Sequence, residues 1–85
     1  MITGRLQPRF NDIAYDRRVR QATISRRSGV SYQTVQAYFN NGRQLRRVGL
    51  NTLYGYLRGC GLTDAEILDM KIGDLFDIVD DDEDE

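Results

Sequence analysis

The sequence predicts a small all-α domain of five helices, and three observations lead to that class. Apolar residues recur three and four positions apart over much of the chain, which is the spacing of one helix face. Residue types that start and stop helices separate these stretches. A chain of 85 residues is long enough for one domain with one small core. We therefore assign residues 1–79 to a single folded domain and residues 80–85 to a disordered acidic tail.

The first three helices are predicted over residues 8–18, 21–28 and 32–39. Pro8 fits the first turn of a helix because its missing N–H is not needed there. The asparagines and glycine at residues 40–42 form a helix-stop cluster after the third helix. The sequence thus predicts three short helices in close succession.

The second half of the domain is predicted to hold a fourth helix over residues 50–59 and a short fifth helix. The fifth follows a capping-box pattern, Thr63 with Glu66 three positions later. Residues 71–79 suit one helical turn and then a short extended piece. That piece could pair with residues 1–2 as a terminal strand pair.

The net charge of −1 conceals a strong separation of charge along the chain. Residues 1–62 contain eleven arginines and two acids, Asp12 and Asp16, which gives this part of the chain a net charge of +9. From Thr63 onward, Lys71 alone opposes eleven acids, a net charge of −10. Such asymmetry indicates a body that binds polyanions and carries an acidic tail. Three interpretations of the tail stay open: a solubilising end, an internal competitor of DNA, or a contact for a protein partner.

Composition also argues against several function classes. The chain has no histidine, so imidazole catalysis and the usual zinc sites lose their commonest ligand. Its single cysteine, Cys60, has no partner for an internal disulfide and is expected to be a buried, inert thiol. We predict no enzyme activity, no metal and no cofactor. With no bilayer-spanning apolar run and no signal-peptide pattern, no membrane association is expected and the predicted location is cytoplasmic.

Residues 21–40 carry the strongest functional signal. A glycine-bearing turn at residues 29–31 separates two short amphipathic helical patterns, and Ser31 is a good N-cap for the second. In that second pattern, one face holds the apolar side chains of Val35, Tyr38 and Phe39. The other face holds the amides of Gln33, Gln36 and Asn40. Two helices joined by a tight turn, the second with outward amides, are typical of a helix-turn-helix that reads DNA.

From about Val19 to Phe76 the chain also resembles the Cro/C1-type (XRE-like) helix-turn-helix family of DNA-binding regulators. The resemblance is carried by Gln21, Gly29, Val30, Ser31, Thr34, Val35, Tyr38, Asn40, Asn41, Gly42, Leu50, Asn51, Thr52, Leu53, Asp74, Leu75 and Phe76. It implies a lambda-repressor-like five-helix bundle that binds double-stranded DNA. Ser25 and Ser28 depart from the family's alanine and leucine-like residues, which predicts light packing between the second and third helices.

The resemblance implies that four residues of the third helix meet base edges: Tyr32, Gln33, Gln36 and Ala37. The chemistry of the glutamines agrees, since an amide both donates and accepts and can pair with adenine N6 and N7. Ala37 has a methyl group that could contact a thymine methyl. For Tyr32, packing or a phosphate contact is as good an interpretation as base reading.

The predicted phosphate contacts come partly from the resemblance and partly from charge. The resemblance implies Gln21, Asn40, Asn41 and Arg43, and the basic character of the segments adds Arg20, Arg46 and Arg47. The other central arginines are explained almost as well by solvated helix faces: Arg17, Arg18, Arg26 and Arg27.

The predicted function is a sequence-specific, double-stranded DNA-binding transcriptional regulator, with repression as the expected mode. A homodimer on a palindromic site is expected, since one such domain buries little surface on DNA. Residues 72–79 are the candidate dimer surface. The alternative is an antitoxin-type protein-interaction module that neutralises a partner toxin and regulates its own synthesis.

Overall fold

The structure, a computed structural model, describes residues 3–40 and 47–80. Within these ranges the chain forms six helices and one two-stranded antiparallel sheet. The elements follow in the order β1 (Gly4–Pro8), α1 (Phe10–Asp16), α2 (Gln21–Ser28), α3 (Tyr32–Phe39), α4 (Leu50–Gly59), α5 (Asp64–Leu68), α6 (Ile72–Leu75) and β2 (Phe76–Asp80).

The prediction of an all-α five-helix bundle is wrong, because the fold mixes helices with a strand pair. Gly4 lies opposite Asp80 and Pro8 lies opposite Phe76 in the antiparallel ladder. The suggested partner, residues 1–2, lies outside the described residues. Asp80 belongs to β2, although the sequence placed it in the tail. The sequence signal was missing because neither GRLQP in β1 nor FDIVD in β2 alternates strictly between apolar and polar residues.

The predicted bounds of the second, third and fourth helices are confirmed by α2, α3 and α4. The first helix is shorter than predicted, because Pro8 ends β1 and α1 begins only at Phe10. The chain is anchored between these elements by the Arg9 N–H, which donates to the Leu75 carbonyl at 2.8 Å. Arg18 has a φ of +55°, which turns the chain out of the helical direction after α1.

The centre of the core is a cluster of aromatic rings from four elements. The Phe10 ring stacks on Tyr38 with centroids 5.2 Å apart and meets Phe76 edge-on at 5.5 Å. The Tyr56 hydroxyl donates to the Phe10 carbonyl at 3.1 Å, and burial raises the pKa of Tyr56, so it stays a neutral donor. These contacts hold α1, α3, α4 and β2 together and place α3 at the surface.

Candidate nucleic-acid interface

The turn between α2 and α3 is held by two serine side chains. Gly29 has a φ of +74°, which glycine adopts without steric cost. The Ser25 hydroxyl donates to the Val30 carbonyl at 2.7 Å, and the Val30 N–H donates to the Ser28 hydroxyl oxygen at 3.0 Å. Both backbone polar groups of Val30 are therefore bonded to α2. Ser25 and Ser28 therefore join α2 to the turn through hydrogen bonds.

The first turn of α3 is capped as the sequence predicts. The Thr34 N–H donates to the Ser31 side-chain oxygen at 3.3 Å, and the Ser31 hydroxyl donates to the Thr34 hydroxyl oxygen at 2.9 Å. An N-cap of this kind contributes about 1 kcal/mol to stability. The start of α3 is thereby fixed relative to the turn.

Helix α3 has one buried side and one exposed side. Val35 and Tyr38 are almost completely buried, whereas Gln33 and Gln36 are exposed. Neither glutamine amide forms a hydrogen bond within the described ranges of the chain. The prediction that these amides lie outside the fold is confirmed, and both are free to bind a partner.

The other two predicted base readers lie at the edges of this exposed side. Ala37 is partly buried, and Tyr32 is 50% exposed. The Tyr32 ring lines a shallow groove whose apolar wall includes Tyr15 and Phe39, two rings that meet edge-on at 5.3 Å. Tyr32 is thus neither fully packed nor fully free, and both interpretations of its role stay predictions.

Four of the predicted phosphate contacts lie in the described ranges. Arg20 is exposed at the N-cap position of α2, where its side chain makes no capping hydrogen bond, and Gln21 is partly buried at the first position of the helix. Asn40 is exposed at the end of α3, and Arg47 is exposed before α4. The other three predicted contacts, Asn41, Arg43 and Arg46, lie outside the described residues.

The structure separates the arginines into two groups, a distinction that the sequence does not reveal. Among those paired with acids, Arg9 meets Asp77 at 3.3 Å, Arg58 meets Asp64 at 3.6 Å, and Arg17 meets Glu66. Five form no ion pair with any carboxylate in the described ranges: Arg18, Arg20, Arg26, Arg27 and Arg47. Unneutralised positive charge is therefore concentrated along α2, in the connection before it and in the approach to α4.

Two kinds of feature are absent from residues 3–40 and 47–80. No three side chains among His, Cys, Asp and Glu come together as metal ligands there. No helix of that region has both the length and the apolar character needed to cross a membrane. The Cys60 thiol is buried, as expected, and burial raises its pKa to about 12, so it remains protonated at neutral pH.

Comparison with known proteins gave no match to a family model, a curated protein or a solved structure. The resemblance to Cro/C1-type regulators therefore depends on the ordered set of residues in the chain itself.

Proposed function

We propose that this protein is a sequence-specific, double-stranded DNA-binding transcriptional regulator whose helix α3 enters the major groove. One observation carries the proposal: Gln33 and Gln36 are exposed on the side of α3 opposite the buried Val35 and Tyr38. Each amide offers a donor and an acceptor, which suits two-point pairing with adenine. The capped start of α3 and the bonded turn fix the helix backbone that carries these amides, and base reading requires such a rigid support.

The flanking polar and basic residues would fix the register of the protein on the duplex. Arg20, Gln21, Asn40 and Arg47 belong to the segments on either side of α3 in the chain. Contacts from such side chains to phosphate oxygens orient a protein without reading sequence. Each phosphate neutralised adds about 0.9 to the log–log slope of affinity against salt. Binding should therefore weaken steeply as salt rises.

A second copy of the chain is part of the proposal. A single small domain buries too little DNA surface for tight specific binding, so a homodimer on a two-fold symmetric site is expected. Within residues 72–79, Ile72 is 67% exposed and Ile78 is 81% exposed. Ile78 also lies directly opposite the exposed Leu6 in the strand pair. Ile72 and Ile78 remain our candidates for contacts between the two copies, and the strand pair adds Leu6 to them.

The test is selection of bound duplexes from a random pool, followed by affinity measurement on the enriched sequence. We expect one enriched motif with two-fold symmetry, because both copies of α3 would read equivalent half-sites. Absence of any enriched motif at moderate ionic strength would refute the proposal. Repression would then be measured with a reporter whose promoter carries the selected site.

The antitoxin-type alternative is favoured by a different observation, the exposure of large apolar side chains. Leu50 is 84% exposed and Leu68 is 86% exposed, and such residues can serve a protein partner. This alternative predicts a short neighbouring gene whose product stops growth when expressed alone. Co-expression of this protein should restore growth, and Leu68→Lys should weaken that protection. If no neighbouring product is toxic, the alternative is removed.

A further inference from the structure

We propose that a cleft beside α2, lined by Arg17, Arg18, Arg20 and Arg27, is a binding site for phosphate groups. The cleft has a volume of about 600 Å³. It lies between the connection from α1 to α2, one side of α2, and the turn after α4 that holds Cys60 and Gly61. No residue of α3 lines it, so the site is separate from the base-reading surface and does not depend on α3 reading bases.

The charge in the cleft is almost entirely positive. No acidic side chain of the described residues lines it. Arg17 donates to Glu66, but the other three arginines have no carboxylate partner in the described chain. Cys60 adds no negative charge, since burial keeps its thiol protonated. Guanidinium groups that share one cleft repel each other, and an anion bound among them would relieve that repulsion.

The local structure explains why these side chains meet. Arg20, Thr23 and Arg27 are three, four and seven positions apart, which places them on one side of α2. Arg27 is held at the edge of the cleft, where it donates to the Gly59 carbonyl at 3.5 Å. Arg18 is brought in by its left-handed backbone, which is unfavourable for a residue with a Cβ.

The composition of the cleft favours phosphate over a single carboxylate. A guanidinium group is planar and donates to two oxygens at once, which suits the several oxygens of a phosphate. The hydroxyl of Thr23 adds a further neutral donor among the lining groups. The phosphate group that binds in the cleft could belong to the DNA backbone or to a free polyphosphate. The site shares Arg20 with the proposed DNA contacts, so the experiment must separate the two sources.

The experiment compares Arg27→Gln with Arg26→Gln in the full chain. Arg26 is the adjacent residue on α2, is exposed, and does not line the cleft, so both variants lose the same charge from the same helix. One arm titrates inorganic pyrophosphate by calorimetry. The other arm measures affinity for a short duplex of random sequence over a range of salt. Neither arm uses a preferred DNA sequence, so failure of the proposed base reading would leave the result valid.

If the ligand is a free polyphosphate, wild-type protein should bind pyrophosphate. Arg27→Gln should then weaken that binding about tenfold, which is the equivalent of one charge-assisted hydrogen bond. Arg26→Gln should change it less than about twofold, the loss expected of a distant screened charge. A backbone phosphate as the ligand predicts that only the duplex arm separates the variants. Arg27→Gln would then lower the salt slope by about 0.9 more than Arg26→Gln. Either result supports the site.

The proposal is overturned if Arg26→Gln and Arg27→Gln behave alike in both arms, because the effect would then follow net charge and not the cleft. Arg27 also contacts Gly59, so loss of the fold is checked by thermal unfolding of each variant. Should Arg27→Gln unfold, Arg18→Gln replaces it, since Arg18 lines the same cleft and its side chain forms no hydrogen bond or ion pair within the described residues. Equal behaviour of Arg18→Gln and Arg26→Gln would overturn the proposal in the same way.

Discussion

Gly59 of α4 lies directly against the backbone of Ile24 in α2. A Cβ placed on Gly59 would come within 2.8 Å of the Ile24 carbonyl oxygen and 2.9 Å of its Cγ2, closer than real Cβ contacts. Because one of these atoms belongs to the backbone, relief would require a shift of α2 itself. The turn and α3 follow α2 directly in the chain. The contact between Gly59 and Ile24 therefore helps to set the position of α3, the proposed reading helix.

We expect Gly59→Ala to destabilise the fold by about 1–3 kcal/mol, the usual cost of overpacking. Chemical denaturation followed by circular dichroism measures the change. The matched control is Gly73→Ala in α6, where an added Cβ would meet nothing within 4 Å. That control should be neutral or slightly stabilising, because alanine is the better helix former. Equal effects of the two substitutions would show that the contact with Ile24 is unimportant.

Ser31→Ala is expected to cost about 1 kcal/mol of stability, because it removes the acceptor for the Thr34 N–H at the start of α3. The free energy of unfolding measures the loss. Ser31→Asn keeps a capping side chain and should restore most of the stability. If Ser31→Ala and Ser31→Asn were equally stable, the cap would not hold the start of α3.

Glu66 links the capping box of α5 to the end of α1. The Thr63 N–H donates to the Glu66 Oε1 at 3.0 Å, and Arg17 donates to the Oε2. The backbone bond from Thr63, followed by the bond from Arg17, lowers the pKa of Glu66. A folded-state pKa below the unfolded value makes a contribution to stability that is present above pH ~4.3, the ordinary glutamate pKa. That contribution is lost as the pH falls through the folded-state pKa.

Glu66→Gln should therefore be less stable than wild type at pH 7, and the difference should shrink as the pH is lowered towards 3. Unfolding free energies at a series of pH values measure it. Asp69→Asn is the control, since it removes an exposed carboxylate that has no ion pair in the described chain. Its difference from wild type should vary less with pH. A difference for Glu66→Gln that stayed constant with pH would contradict the ionic role of Glu66.

The helices were predictable because their signals are local. The capping box of Thr63 and Glu66 spans three positions, and the exposure of Gln33 and Gln36 follows from the period of the buried Val35 and Tyr38. Each of these signals can be read within one or two helical turns of sequence. The amide-bearing side of α3 is accordingly where it was expected.

The extended piece within residues 71–79 was predicted and is β2, but its partner strand Gly4–Pro8 and the arginine cleft were not predictable, because both depend on residues distant in the chain. Leu6 and Ile78 face each other although they lie near opposite ends of the sequence, and neither strand shows the strict alternation of apolar and polar residues that would indicate a sheet. The role of an arginine depends on which acid the fold brings to it. Arg17 meets Glu66, whereas the adjacent Arg18 meets no carboxylate in the described chain.

The sharpest test of the reading helix compares Gln33→Ala and Gln36→Ala with Arg47→Ala on the selected duplex and on single-base variants of it. Each glutamine substitution should cost about 1–3 kcal/mol on the preferred sequence and relax discrimination at one or two positions. Their exposed side chains make no hydrogen bond in the described chain, so stability should change little.

Arg47→Ala should instead weaken binding to all sequences alike and flatten the salt dependence, because a phosphate contact carries no sequence information. Comparing the glutamine variants with Arg47→Ala separates a loss of base discrimination from a general loss of affinity. If the glutamine variants kept full discrimination while Arg47→Ala lowered affinity throughout, the protein would bind duplexes by charge and α3 would not be the reader. If instead the two classes of variant separate as expected, the amides of α3 select the bases and the guanidinium group holds the backbone.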